Sequence, residues 1–388
     1  MNQDKPHALW RDTPIESRFG DPARGVQDAI EYTARDKRSS KEFDLDLRNV
    51  QVIRDAEEIK LGLPSGRSLK LTPWAFDRVA ASAKAPADFL RELPAPIVES
   101  ILRERFAGSE IKQALVRVGD DDLVLRDLAS VTYERTWVTD VLGRIQEQLI
   151  GTGWRIPPAR PAMSDHRTRK ATPADCVAFA RHSNGMSIKP GDDIAPAGCY
   201  VEDHVTNVFL IKDEPFVGPL GKEIFPGIMI SFGELYGRAV NVDLFGLVGV
   251  CGNHLIDGFT DLGRTSLSHR RGVNDLSIEV LAEIAQSKPL LGAGETLDRA
   301  SKLLLSEKTE TLIDDTFAKI RRIPAMAPIT KKLLGEATRI AVENENRYGD
   351  PRTLWAIHSG LTQASQSRRP DDRYAIDRAA SRMLTIDV

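Results

Sequence analysis

Cysteine is scarce: the chain of 388 residues contains three, Cys176, Cys199 and Cys251. An odd number at wide spacing argues against a disulfide framework and against a knuckle-type zinc site, and predicts small buried hydrophobes instead. Long apolar runs are missing as well. Hydrophobic residues make up 41% of the chain, yet no stretch approaches the roughly 18 consecutive apolar residues of a membrane-spanning helix, so a soluble protein without a membrane partner is expected. Charge of one sign is also lacking: 53 basic residues stand against 56 acidic ones, a net charge of −3. Any surface for nucleic acid therefore has to be local. The opening MNQDKPHALWRDTPIES has no basic-then-apolar layout of a secretion signal, which makes a cytoplasmic setting the expectation. No internal repeat, heptad run or low-complexity tract is found.

What is present divides into four stretches. Residues 1–45 mix charges with turn formers and read as a partly ordered arm that docks through short pieces such as ALW. Residues 46–153 read as an α+β region. Alternating apolar residues around Pro64-Ser65-Gly66 predict a hairpin, and Thr72 and Pro73 have the residue types of an N-cap and a first helical position. Gly119 with Asp120, Asp121 and Asp122 predicts a hairpin turn; the three aspartates need no metal to explain them. Val138, Val141, Leu142, Ile145 and Leu149 form an apolar helical stripe. Residues 154–272 begin with a proline-rich basic loop and continue as short segments rich in Val, Ile and Phe, joined by connections too short for parallel crossovers. Residues 273–388 carry helical periodicity with polar outer faces. The fold class expected is α+β: a central antiparallel β-sheet flanked by helices, with a helical C-terminal third. Residues 46–388 can form one compact unit.

Several candidate chemistries can be weighed on residue type and spacing. Gly246, Gly249 and Gly252 repeat every three residues, which is neither a dinucleotide fingerprint nor a phosphate loop. Gly292-Ala293-Gly294 stands before a helical pattern but follows no strand. Glu202, Asp203, His204 and His254 would form a mixed carboxylate and imidazole shell if they met across neighbouring strands, although no pair has the spacing of a metal motif. Cys251 follows an apolar run that predicts an inert thiol. The strongest local signal is basic. Arg160, Arg167, Arg169 and Lys170 share one loop, and Arg264, Arg270 and Arg271 share another just beyond the β-rich segments. Such mixtures with Ser and Thr suit phosphate contacts, and Tyr200 and Tyr236 on the sheet could stack on bases.

Five pieces carry a resemblance: LTPWAFDRVAASAKAPADFLRELP, LVLRDLASVTYERTWVTDVL, FPGIMISFGELYGRAVNVDLFGLVGVCGNHLI, the following SHRRG, and TLWAIHSGLTQA. In this order, from about residue 60 to 367, they resemble the phage/plasmid-like protein family, a domain-of-unknown-function family found on phages, plasmids and integrated elements. The chain departs from the family pattern at Ser231-Phe232-Gly233-Glu234 and at Cys251-Gly252-Asn253-His254, where a histidine stands in place of glycine. The resemblance implies a mobile-element setting and supplies no catalytic residue. The resulting expectation is an accessory protein that binds nucleic acid, through single-stranded DNA binding or annealing in recombination, as a homo-oligomer and without a cofactor. A metal-dependent nuclease or hydrolase and an anti-defence or protein-interaction factor are the alternatives.

Overall fold

One short connection shapes the first half of the chain. The computed structural model describes residues 8–11, 26–106, 111–119, 123–158, 160–161, 169–182, 187–195, 198–201, 204–217, 221, 223–237, 240–248, 253–256, 265–267, 291–365, 368 and 370–385. Helix α1 (Val26–Ser39) leads into β1 (Ser40–Asp46), and residues 47–50 join β1 to β2 (Gln51–Asp55). Then follow β3 (Glu58–Gly62), β4 (Ser68–Leu71), α2 (Pro73–Ser82), α3 (Ala87–Glu92), α4 (Ala95–Phe106), β5 (Ile111–Val118) and β6 (Leu123–Ala129). The strands form a six-stranded sheet in the order β1-β5-β6-β4-β3-β2, which makes β1 and β2 its opposite edges. Five inter-strand steps across a flat sheet would cover roughly 24 Å, but five residue steps of extended chain reach about 17 Å at most. The sheet therefore curls. Leu45, Leu47, Ile59, Leu61, Leu69, Leu71, Val116 and Leu125 meet in one core with Phe76, Val79 and Ala80 of α2.

Local chemistry sets the entry to α2: the Thr72 hydroxyl accepts the Ala75 N–H at 3.1 Å, and Pro73 occupies the first turn. Residues 8–11 dock on this unit. The Trp10 ring is buried 4.5 Å from that of Phe76, and its Nε1 donates to the Glu57 carbonyl at 2.8 Å. One expectation needs correction. An arm reaching residue 45 is too long, because α1 and β1 are regular elements and β1 pairs along its whole length with β5. Only Val26, Ala29 and Thr33 of α1, and Leu45 alone of β1, are buried, so the apolar period is too sparse to read. In the same sheet β4 and β6 run parallel, with α2, α3, α4 and β5 supplying the long return that parallel pairing needs.

Helix α5 (Val138–Gln148) introduces the second half. Beyond it lie β7 (Trp154–Arg155), β8 (Arg160–Pro161), β9 (Arg169–Lys170), α6 (Pro173–His182), β10 (Asp193–Ala195), β11 (Cys199–Val201) and β12 (Thr206–Lys212). They are followed by β13 (Phe216–Val217), β14 (Glu223–Phe232), β15 (Val240–Val248), β16 (Asn253–Ile256) and β17 (Thr265–Leu267). An eight-stranded antiparallel sheet runs β11-β12-β14-β15-β16, with β7 on β12, β13 on β14 and β17 on β15. Alternation along the strands divides its side chains. Val208, Leu210, Ile228, Ile230, Val242 and Leu244 pack with the α5 stripe and with Val26 and Ala29 of α1, while Phe209, Ile211, Phe225, Met229 and Phe245 form a separate cluster. Gly227 permits that cluster, since a Cβ there would fall 2.4 Å from Cζ of Phe245. Cys199 is buried in the first of these cores, and burial pushes its thiol up to about 12, as expected of an inert cysteine.

Helices α7 (Leu291–Lys302), α8 (Leu312–Ile320), α9 (Lys331–Glu343), α10 (Glu345–Tyr348), α11 (Leu354–Ser365) and α12 (Pro370–Met383) make up the C-terminal region. The helical character expected there holds, with one difference: α11 has no polar outer face. Nearly all of it is buried, His358, Ser359, Thr362 and Ser365 included. Gly360 lets α9 approach closely, because a Cβ at this position would lie 2.3 Å from the Ala337 carbonyl oxygen. Ser365 donates to Asp377 at 2.5 Å, and Arg373 faces the same carboxylate at 3.4 Å. Among the described residues no helix is long and apolar enough to cross a membrane.

Candidate functional site

Where α2, the loop after β6, the turn after β14 and the start of β12 meet, cations and aromatic rings form a connected ladder. Trp74 and Arg78 stand four residues apart on α2, so they share a face, and the Arg78 guanidinium lies 4.7 Å from the Trp74 ring. The same guanidinium lies 5.5 Å from the ring of Tyr236. His204 stacks on Trp74 at 5.1 Å with 12° between the planes. On the far side, Tyr133 meets Tyr236 edge-on at 5.3 Å and carries Arg135 over its ring, also at 5.3 Å.

Beneath the ladder is a buried charge network. Arg126 faces Asp36 at 2.6 Å and Glu234 at 2.7 Å; Arg135 faces Glu42 at 2.6 Å and Asp127 at 3.2 Å, and also donates to the Glu234 carbonyl. Burial pushes the Asp127 carboxyl up, against the opposing pull of Arg135, the Tyr236 N–H and Arg78. Burial likewise pushes the Tyr133 hydroxyl up, so it stays protonated and donates to the Glu234 carbonyl at 3.3 Å. A small cleft of about 20 Å³ opens between Asp36, Arg117, Arg126, His204 and Glu234.

Arg78 differs from its neighbours. It forms no ion pair with any carboxylate among the described residues, and its Nε is buried without a hydrogen-bond acceptor. By contrast Arg91, on the following helix, holds both Asp77 and Asp88. Tyr236 is 39% exposed, so the ladder reaches the surface there. Its backbone N–H donates to Asp127 at 2.8 Å, which fixes the turn that carries the ring.

Comparison with family models, with curated proteins and with solved structures returns no match.

The residues singled out in the sequence are placed unevenly. Tyr236 and His204 join the ladder. Arg160, Arg169 and Lys170, expected in a loop, lie in β8 and β9, which both pair with β10: Arg160 opposite Ala195, Arg169 opposite Ile194 and Lys170 opposite Asp193. Lys170 also forms an exposed ion pair with Asp193 at 3.0 Å. Tyr200 stands opposite Asn207 at the β11 edge. Arg167, Arg264, Arg270 and Arg271 lie outside the described residues, as do Glu202, Asp203 and Cys251. Of the metal shell imagined across neighbouring strands, only the two histidines are described. His204 follows β11 and His254 lies in β16, the two ends of the strand path, with β12, β14 and β15 between. Among the described residues no group of three His, Cys, Asp or Glu is placed to hold a metal ion. Gly292 and Gly294 lie inside α7 instead of before it, which removes the helix-terminus anion site.

Trp74 and Arg78 were not legible as site residues. A signal was present in the i, i+4 pairing of an aromatic with an arginine on a short helix, but the apolar stripe of α2 satisfies its sequence without it.

Proposed function

We propose that this chain is a nucleic-acid-binding accessory protein of a mobile genetic element, acting on single-stranded DNA as a binding or annealing factor. The observation that carries the reading is the Arg78 guanidinium held against Trp74 and Tyr236, with no ion-paired carboxylate among the described residues. Aromatic faces beside a cation that no described carboxylate contacts directly match the alternation of base and phosphate along a strand. Two basic strands on either side of β10 bring Arg160 and Arg169 into one small sheet, a second place for backbone contacts. The mobile-element setting rests on the order of the family-like segments.

The test is binding of the purified full-length protein to a labelled oligonucleotide across a salt series. The logarithm of affinity should fall linearly with the logarithm of salt, by about 0.7 per phosphate neutralised on a single strand. Absence of any salt-sensitive binding at low ionic strength would sink the reading.

A further inference from the structure

The geometry points to a single-nucleotide site at the surface end of the ladder, in which Tyr236 takes an unstacked base and Arg78 takes the adjoining phosphate. This rests on the nucleic-acid reading and narrows it to one site and to single strands.

Four observations carry it. Tyr236 is the exposed rung, and its ring is held from behind by Tyr133 at 5.3 Å and through its backbone N–H by Asp127 at 2.8 Å. A stacking platform that is already oriented loses little freedom when a base lands on it. Next to it, the half-buried Arg78 guanidinium lies 4.7 Å from the Trp74 ring and 5.5 Å from that of Tyr236 with no ion-paired carboxylate among the described residues, and a phosphate oxygen would supply the anion it lacks. Gly237 runs beside that edge: a Cβ there would lie 3.2 Å from Arg78 Nη2, and its φ of +88° favours glycine in any case. Finally, the nearby carboxylates that would repel a phosphate, Asp127 and Glu234, are buried and already held by Arg135 and Arg126. An acidic peptide would satisfy Arg78 but would leave the tyrosine face unused, so the paired features favour a nucleotide. A base inside a duplex cannot reach a ring in this way, and this selects single strands.

The experiment measures fluorescence anisotropy of a labelled poly-dT strand and of a duplex of equal length, with full-length wild type, Tyr236→Ala, Tyr236→Phe and Arg78→Ala, each checked for a native far-UV spectrum and melting transition. Tyr236→Ala should weaken single-strand binding roughly 5- to 100-fold, the range for loss of one base–aromatic stack, while Tyr236→Phe retains the affinity. Arg78→Ala should lower the salt slope by about 0.7, one phosphate contact. Duplex binding should be unchanged by Tyr236→Ala. If wild type binds poly-dT but both alanine variants bind it with unaltered affinity and slope, this site is wrong while the nucleic-acid reading stands. Equal competition by poly-glutamate would overturn the nucleotide assignment. If wild type binds no oligonucleotide, both the reading and the site fail.

Discussion

Arg135 beneath the ladder is 8% exposed and holds two carboxylates, while His358 in the C-terminal bundle is 0% exposed and holds none among the described residues. The two burials work through different physics. Arg135 is held between Glu42 and Asp127, and Asp127 has given up its own solvation there. His358 is neutral: its ring stacks on Trp355 at 5.9 Å, both ring nitrogens lack hydrogen-bond partners among the described residues, and burial lowers its pKa to about 3. Where the fold needs a cation near the surface it supplies counter-ions; where it needs volume it uses an imidazole as an apolar plate. Arg78 belongs to neither pattern, which is why it draws attention as a binding group.

Breaking the charged side of this comparison should have the largest effect. Arg135→Ala leaves Asp127 buried without its partner and should cost about 3–5 kcal/mol in urea unfolding. Replacing Arg135 and Asp127 together should cost clearly less than the sum of the single changes, as a double-mutant cycle will show.

The neutral side is tested with acid. Because His358 has a folded-state pKa near 3 against an ordinary 6.5, the unfolded chain takes up a proton that the folded one cannot. Above pH 6.5 the group contributes nothing to the pH dependence; from there down to about 3 it progressively removes stability, by several kcal/mol at the limit. His358→Leu should therefore flatten the acid side of the stability profile relative to wild type and leave the neutral side nearly unchanged. Identical acid slopes in the two proteins would refute this account of the imidazole.

Gly360→Ala probes the packing around the same helix. Its methyl group would press on the Ala337 carbonyl oxygen and force α9 and α11 apart, for about 1–3 kcal/mol read as a lower melting temperature. The smallest effect is expected at Lys170, whose pair with Asp193 is exposed on both sides. Lys170→Ala should change stability by less than about 1 kcal/mol, and should show itself, if anywhere, in oligonucleotide affinity.

Much of the fold was legible because short-range chemistry decides it. The Thr72 cap, the Pro64-Ser65-Gly66 turn and the α5 stripe each depend on residues within a few positions of one another, and each stands in the structure as its pattern implies. Helix α1 and strand β1 escaped notice because what holds them is distant in sequence: Val26 and Ala29 pack with the α5 stripe, and β1 pairs along its length with β5. The ladder was half legible for the same reason. Tyr236 and His204 stood out as an aromatic and a histidine in the β-rich segment, but their partners Trp74 and Arg78 lie more than a hundred residues earlier, on a helix whose apolar face explains its pattern without them. The segment GCYVEDHVTNVFLIKDE holds two strands, β11 and β12, with His204 between them. Period-2 alternation does not mark where one strand stops when the residues there are polar and would also suit an exposed strand face.

The four-residue link between the two edges of the first sheet also has a kinetic meaning. Strands β2, β3 and β4 form a local meander that can pair soon after the chain collapses. β1, adjacent to β2 in sequence, must wait for β5, some 70 residues downstream, before it has a partner. Late, non-local pairing of this kind slows folding. Pulse-labelled hydrogen exchange should therefore find the amides of β3 protected before those of β1, with the curl completed last.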